Sequence, residues 1–290
     1  MSDKQIGACT TQRPSGGLRH VADLMRCPRC SGNLALAPDH LMCSDCSQRY
    51  DVQDGIGLLA VMGMEESWKG GPRQGRGSGE NYQRAYQKTH KADDYNREYE
   101  HRFFKRRSTR KEYRLLRQLL ASQDRCRTLL DLPCGGGRLS PQMEGFTDFL
   151  VEADVGLGQL QHLRLHSEAK TPRALMTASA FHIPFKDNSV DAVVCCRLCH
   201  HLPHAEQRER LIDELLRVAR RFVIMTFFDH HSLKNLLRRA RNQWRAQPPK
   251  RTMTIDQVAR RANKNGAELV AYPSLFYLFS GHRYALMVKR

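Results

Sequence analysis

An apolar segment that runs directly into three glycines constrains the fold of this 290-residue chain more than any other feature. Residues 128–138 read TLLDLPCGGGR, in which a predicted buried strand ends at Asp131 and a predicted helix follows. Glycines at such a turn let the backbone bend tightly and let a ligand lie against bare main chain at the amino end of a helix. The second predicted strand ends at Asp154, where a carboxylate can hold the two hydroxyls of a ribose. The pattern therefore predicts a nucleotide-like ligand at the end of a buried strand.

Strands and helices alternate from residue 81 to the end of the sequence. The predicted strands span residues 128–132, 148–154, 174–178, 191–196 and 222–227, and a closing antiparallel pair spans 267–272 and 284–288. The predicted helices span residues 82–121, 157–166 and 205–218. Such alternation implies a mostly parallel sheet covered on both faces. The sequence therefore predicts a Rossmann-like α/β fold with a seven-stranded sheet and helices on both of its faces.

Two C-x-x-C pairs near the N-terminus have the spacing of a structural zinc site. Cys27 and Cys30 form the first pair, and Cys43 and Cys46 form the second after twelve intervening residues. Each pair supplies two thiolates from one tight turn, and four thiolates complete the tetrahedron that zinc prefers. A segment of about forty residues cannot build a self-sufficient core, so the metal would supply folding free energy. A redox pair or a chance cluster is the alternative. Because four ligands close the site, no chemistry is expected there.

Four segments are predicted along the chain. Residues 1–22 mix Gly, Pro, Ser and charge without periodicity and are expected to form a mobile tail. Residues 23–64 hold the zinc ribbon. Residues 65–80 are rich in Gly and are expected to be a flexible linker. Residues 81–290 form the large α/β domain.

The amino-acid composition limits which cellular compartment and which class of partner are expected. Lys and Arg number 47 against 30 Asp and Glu, and the net charge of +17 favours nucleic acid, an anionic membrane surface or a phosphorylated substrate. No stretch approaches the roughly 18 apolar residues that span a bilayer, and the N-terminus lacks the apolar core of a secretory signal. The ten cysteines are therefore expected to be thiols or metal ligands in a cytoplasmic protein.

Several motifs in order resemble those of class I S-adenosylmethionine-dependent methyltransferases, in the group related to quinone-biosynthesis methyltransferases (the methyltransferase type 11 group). Residues 131–137, DLPCGGG, are similar to the first motif, and residues 153–154 to the second. Residues 179–185 and 187–194 are similar to the third and fourth, and residues 199–203, CHHLP, stand where many members carry a His-His pair. The ordered combination is more specific than any single motif, and the resemblance covers roughly residues 110–290.

The resemblance implies where S-adenosylmethionine binds. The implied cofactor residues are Asp131 near the methionine amino group, Gly135 and Gly137 along the methionine part, Asp154 on the ribose, and Ala180 and Phe181 beside the adenine. Two positions depart from the family pattern: Pro133 replaces the first glycine, and Ser179 replaces an Asp that contacts the adenine amine. The alternative is another nucleotide-binding domain, or a degenerate domain of this fold that binds no cofactor.

Methyl transfer requires mainly that the acceptor be aligned with the methyl group and that water be excluded. His200 and His201 are the candidates for positioning or deprotonating the acceptor. A second metal site among the cysteines and histidines of residues 195–204 is an alternative. It is disfavoured because Cys195 and Cys196 are neighbours in a predicted strand and therefore point to opposite faces.

The acceptor is predicted from charge and architecture. Residues 97–127 contain eleven basic and four acidic residues, and residues 217–251 contain ten and one. Residues 232–244 place leucines on one helical stripe, as in a core helix or in a lid over the acceptor. A zinc ribbon ahead of such a domain resembles the bacterial large-subunit ribosomal RNA guanine methyltransferases, and also the small zinc-binding partner of translation-related methyltransferases. A structured, ribosomal RNA is therefore the expected acceptor. A small-molecule or lipid-linked acceptor and a non-catalytic RNA- or protein-binding adaptor are the alternatives.

Overall fold

The computed structural model describes residues 16–61, 103–167, 170–233, 235–237, 251–276 and 281–290. The predicted linker at 65–80 lies outside these residues, as do the first fifteen residues of the predicted tail. The described helices are α1 Gly16–Val21, α2 Phe103–Ala121, α3 Ser140–Met143, α4 Leu157–His166, α5 Ala205–Val218 and α6 Ile255–Lys264.

The described strands form one sheet of eleven members. They are β1 Leu34–Leu36, β2 His40–Cys43, β3 Arg49–Gln53, β4 Ile56–Leu58, β5 Cys126–Asp131, β6 Thr147–Asp154, β7 Arg173–Thr177, β8 Val190–Cys195, β9 Ala219–Phe228, β10 Ala267–Ala271 and β11 His282–Lys289. Their order across the sheet is β1-β2-β3-β4-β7-β6-β5-β8-β9-β11-β10. Strands β7, β6, β5, β8 and β9 run parallel, and β11 and β10 close the far side as an antiparallel pair. The predicted α/β architecture is therefore confirmed.

The number of strands predicted from the sequence was wrong. The seven strands from β5 to β11 are present, but β4 continues the sheet by pairing in parallel with β7, so that Ile56 lies opposite Leu175. Strands β1, β2 and β3 follow outward from β4 as antiparallel neighbours. An open edge at β7 would leave a row of backbone N–H and C=O groups unpaired. The N-terminal segment covers that edge, and the ribbon is therefore continuous with the main sheet.

The N-terminal boundary of the fold also differs from the prediction. Residues 16–22 were expected to belong to the mobile tail, but α1 begins at Gly16, and both Leu18 and Val21 are fully buried. The ring of His20 stacks on Phe149 of β6 with ring centroids 4.0 Å apart. Leu18 and Val21 are three residues apart, which places both on one face of a helix. One turn of helix is enough to bury them against the sheet.

Helices cover both faces of the central strands, and separate hydrophobic clusters lie on the two faces. One cluster contains Cys195 with Leu211 and Leu215 of α5, and the other contains Cys196 with Leu116 of α2. The two neighbouring cysteines therefore lie on opposite faces of the sheet, as the alternation of side chains along a strand requires. No helix in the described ranges is both long enough and apolar enough to cross a membrane.

Candidate cofactor site and metal centre

The glycine turn follows the carboxyl end of β5. Gly135 has a φ of +56°, and a Cβ atom added to it would meet nothing within 4 Å. Gly137 has a φ of +80°, and its added Cβ would lie 2.8 Å from Cγ of Leu163 on α4. Positive φ favours glycine at both positions. The space beside Gly135 suits a ligand that approaches the main chain, whereas Gly137 is required by the close packing of α4.

Asp154 ties the end of β6 to this turn. One carboxylate oxygen accepts a hydrogen bond from the Gly135 N–H at 3.0 Å, and the other accepts from the Gly156 N–H at 2.8 Å. Burial raises the pKa of Asp154, and the backbone N–H groups act in the opposite direction. Each carboxylate oxygen has two lone pairs. Asp154 can therefore hold the turn in shape and still accept a hydroxyl group of a ribose.

Asp131, at the end of β5, is fully buried, and neither of its carboxylate oxygens has a hydrogen-bond partner among the described residues. Burial, followed by the charge of Glu152, raises the pKa of Asp131 well above its ordinary value. A cationic group beside the carboxylate would lower that pKa and satisfy the oxygens. The amino group of a bound methionine moiety has this chemistry, so the residues present fit the cofactor that the sequence predicts.

The loop at residues 178–187, hereafter the adenine loop, carries the positions predicted to flank the adenine. Ala180 and Phe181 are half-buried, and the Arg210 guanidinium lies 5.8 Å from the centroid of the Phe181 ring. The Ser179 hydroxyl accepts a hydrogen bond from the Phe181 N–H at 3.2 Å. Ser179 therefore stabilises the loop itself where the family pattern has an acid that contacts adenine.

The two candidate histidines lie in a 3₁₀ turn, Cys199–His201, directly after β8. The ring centroids of His200 and His201 are 4.2 Å apart, and the His200 ring is 4.4 Å from that of Phe228 on β9. Burial, followed by the charges of Arg251 and Arg197, lowers the pKa of His201. A neutral imidazole at neutral pH can accept a proton. The histidines thus lie at the carboxyl edge of the sheet, where ligands bind in such folds.

A buried glutamate that was not predicted from the sequence connects the histidine turn to the glycine turn. Glu112 of α2 is fully buried and accepts hydrogen bonds from Arg197 at 2.8 and 3.0 Å and from Arg138 at 2.8 Å. Arg138 follows the glycines, and Arg197 precedes the histidines with a φ of +65°. One signal was available in the sequence, because Glu112 is the single acid in the basic helix α2.

Replacing Glu112 by Gln is expected to destabilise the protein by about 3 kcal/mol, because the change leaves two partly buried guanidinium groups without their shared carboxylate. Burial opposes ionisation, but Arg138 and then Arg197 lower the pKa of Glu112 below its usual value. The stabilisation is therefore present at neutral pH and is lost as the pH falls through the lowered pKa. Denaturant unfolding of both proteins at pH 7 and at acidic pH measures this difference.

Glu209→Gln is the matched control for this prediction. Glu209 pairs with Arg261 at 3.0 Å, but 43% of its side chain is exposed. Exposed pairs contribute about 1 kcal/mol or less. Equal losses of stability in the two variants would contradict the role given to Glu112.

The four N-terminal cysteines converge as a metal site requires. Their ligand atoms all lie within 4.8 Å of one another, with Sγ–Sγ distances of 3.8 Å for Cys27–Cys46 and 3.4 Å for Cys30–Cys43. Zn–S bonds of about 2.3 Å in a tetrahedron place sulfur atoms about 3.8 Å apart. Burial would raise the pKa of Cys27, but hydrogen bonds from Tyr50 and from the backbone lower it to about 7. The four residues fit a closed structural zinc site.

The other histidines and cysteines singled out in the sequence have structural contacts. In the described part of the chain, the four N-terminal cysteines are the one group of three or more potential ligands that converge. Sγ of Cys199 packs 3.6 Å from Sδ of Met253 in the core, and His204 forms the N-terminal capping box of α5. The described residues therefore give no support to a second metal site.

Comparison with known sequences identifies one domain. Residues 130–225 match the methyltransferase type 11 family, whose description is "Methyltransferase domain". A protein of Encephalitozoon cuniculi that is provisionally named a methyltransferase is 32% identical over 90 residues, which are 31% of this chain. The chain spans about two fifths (39%) of the length of that relative.

Some of the solved structures with a similar fold are methyltransferases. Magnesium protoporphyrin IX methyltransferase from Synechocystis, solved with bound SAH, has a TM-score of 0.60 and 15% identity, covering 73% of this chain and 100% of that one. A protein from Bordetella parapertussis has a TM-score of 0.50 and 14% identity, covering 62% and 68%. At these identities the structures show the fold. The family match covers residues 130–225, which include the glycine turn.

Proposed function

We propose that this protein is an S-adenosylmethionine-dependent methyltransferase. The observation that carries the proposal is at and just after the end of β5. The buried Asp131 carboxylate has no hydrogen-bond partner among the described residues, and four residues later a Cβ added to Gly135 would meet nothing within 4 Å. These two features suit a cationic amino-acid group that lies along bare main chain. The family match over residues 130–225 supports the same reaction class.

Each proposed residue has a distinct task. When bound, S-adenosylmethionine supplies a methyl group on a sulfonium, which an in-line nucleophile can take without protonation of the leaving group. Asp131 would hold the amino group of its methionine part, and Asp154 the ribose hydroxyls. Ala180 and Phe181 would flank the adenine. His201, whose pKa is lowered, would accept the proton of an acidic acceptor, and His200 would orient that acceptor.

Asp154→Ala is expected to weaken cofactor binding by about 1–3 kcal/mol, the scale of a lost hydrogen bond to a charged group. Titration calorimetry with S-adenosylmethionine measures the change. Asp148→Ala is the matched control, because Asp148 lies on the same strand but is 61% exposed and pairs with Arg125 outside the site. Unchanged affinity in Asp154→Ala would remove the ribose assignment.

A structured RNA is the acceptor that we propose from the charge of the chain. The net charge of +17 and the zinc ribbon support it. An RNA acceptor is also supported by a run of arginines in the sequence, Arg238, Arg239 and Arg241. These residues lie outside the described ranges. Other arginines support it less, because ion pairs within the fold hold them, as with Arg125 and Asp148 or Arg221 and Asp124.

RNA affinity is expected to fall by about 0.7–0.9 of a log unit per log unit of salt for each contacted phosphate. Neutralising Arg238, Arg239 and Arg241 together should lower that slope and leave cofactor affinity intact. Filter binding of a structured ribosomal RNA fragment at several salt concentrations measures both effects. Binding that does not change with salt would contradict an RNA acceptor.

A small-molecule or lipid-linked acceptor is the second candidate, favoured by the rings at the carboxyl edge of the sheet. The ring of Phe228 lies 4.4 Å from His200 and 5.4 Å from His282, and His282 lies 6.2 Å from Tyr284. The Tyr284 hydroxyl is buried and has no hydrogen-bond partner among the described residues. A polar group on a compact acceptor would satisfy it. Full turnover on a low-molecular-weight fraction without RNA would establish this candidate.

A further inference from the structure

We propose that the zinc ribbon supports cofactor binding, because it holds the adenine loop at both of its ends. The inference rests on the proposed function, since it assumes that the loop at residues 178–187 flanks the adenine. The ribbon would then determine cofactor affinity as well as the stability of the sheet edge. The residues that carry this effect are positioning residues, because none of them is placed against the cofactor.

The ribbon contacts the exit of the loop through main chain. The Arg26 N–H donates to the Pro184 carbonyl at 3.1 Å, and the Lys186 N–H donates to the Leu24 carbonyl at 2.8 Å. Met25 bridges to Phe185, and both side chains are almost completely buried. These contacts begin three residues before Cys27, the first proposed zinc ligand. The short backbone segment before Cys27 therefore makes the position of the loop exit depend on the fold of the ribbon.

Ion pairs extend the same junction to α5. Asp187 accepts from Arg26 at 3.0 Å and from Arg217 of α5 at 2.8 Å. Arg217 also donates to the carbonyls of Phe185 and Ile183 at 2.7 and 3.0 Å. The loop exit is thus held between the ribbon on one side and α5 on the other. Removal of the ribbon contacts would leave it supported from one side.

The entry of the loop is held by β4, the last strand of the ribbon segment. β4 pairs along β7, which leads directly into the loop, and Leu58 lies opposite Thr177 at the end of that pairing. The Ala60 N–H donates to the Thr177 hydroxyl oxygen at 3.1 Å. Thr177 is nearly buried and is two residues before Ser179. One N-terminal segment therefore fixes both the strand that enters the loop and the residues that leave it.

This support matters because the loop lacks the usual acid. The Ser179 hydroxyl is engaged with the Phe181 N–H, so adenine would be recognised by the shape of the loop and by its main chain. Recognition by shape depends on a loop that is ordered before the ligand binds, since ordering on binding reduces affinity. The ribbon contacts supply this order.

The test compares calorimetric affinity for S-adenosylmethionine with the free energy of unfolding in four variants of the zinc-loaded protein. Met25→Ala removes the buried contact at the loop exit, and Thr177→Val removes the hydroxyl at the entry. Thr177→Ser keeps that hydroxyl. Met287→Ala is the matched control, since Met287 is equally buried but lies on β11, which four strands separate from β7.

Met25→Ala and Thr177→Val are expected to bind the cofactor about tenfold more weakly, a change of roughly 1.4 kcal/mol. Thr177→Ser is expected to bind as the wild type does. Met287→Ala should lose stability and keep its affinity. If Met25→Ala does not fold, the comparison of Thr177→Val with Thr177→Ser tests the inference. Wild-type affinity in a folded Thr177→Val, or an equal loss in Met287→Ala, would overturn the inference. Failure of the wild type to bind the cofactor would instead refute the proposed function.

Discussion

Replacement of Cys27 and Cys30 by serine is expected to abolish zinc binding and to unfold the ribbon strands β1, β2 and β3. The three strands contain few buried residues of their own, and the four thiolates hold their two turns together. Loss of a structural metal belongs to the small class of changes that cost more than about 4 kcal/mol. Elemental analysis measures the zinc, and hydrogen exchange measures the loss of protection in the strands.

Cys126→Ser is the control for this experiment. Cys126 is as buried as the ribbon cysteines Cys27 and Cys43, but it lies at the start of β5 and outside the thiolate cluster. Its replacement should leave the zinc content at one ion per chain. Chelator-free protein without zinc, or zinc retained after the double replacement, would contradict the metal assignment.

Gly135→Val is expected to reduce cofactor affinity by at least about a hundredfold, or 2.7 kcal/mol. The open space beside Gly135 is where we place the methionine part, and a branched side chain would fill it. The left-handed backbone conformation would also destabilise the folded variant by about 1–2 kcal/mol, because valine has a Cβ. Titration calorimetry with S-adenosylmethionine measures the affinity, and circular dichroism establishes that the variant is folded.

Gly145→Val separates the effect of the site from the effect of adding a valine. Gly145 also has nothing within 4 Å of an added Cβ, but its φ is not positive and it lies in the 3₁₀ turn before β6. This variant should bind the cofactor normally. Gly135→Ala, which fills less of the space, should have an intermediate affinity. Normal binding by a folded Gly135→Val would exclude the glycine turn as the cofactor site.

The sequence predicted the central sheet well because its strands are buried on both faces. Every residue of β8 is buried, and after Asp191 the strand reads as an apolar run, AVVC, that stands out from its surroundings. Helix α5 was predicted with its bounds because its apolar residues recur at helical spacing and include Leu211 and Leu215. The convergence of the four N-terminal cysteines could also be predicted, since the spacing of the two C-x-x-C pairs is that of a closed metal site.

The missing parts of the prediction depend on contacts between distant segments. β4 has only three residues, and its place in the sheet is defined by its pairing with β7 more than a hundred residues away. Glu112 acquires its importance from two arginines in separate loops. Leu233, Leu236 and Leu237 fit a helical stripe, yet each is more than 40% exposed, so the core-packing interpretation was wrong for these three residues. No pattern among neighbouring residues in the sequence indicates such contacts.

Methyl transfer is the activity that we propose for this protein, and one labelling experiment can test it. The zinc-loaded protein is incubated with methyl-labelled S-adenosylmethionine and a fractionated cell extract, and the label is followed into RNA, protein, lipid and small molecules. The wild type is expected to label one class of acceptor, and Gly135→Val is expected to label none. A wild-type protein that binds the cofactor but labels no fraction would contradict the claim and would indicate a non-catalytic adaptor.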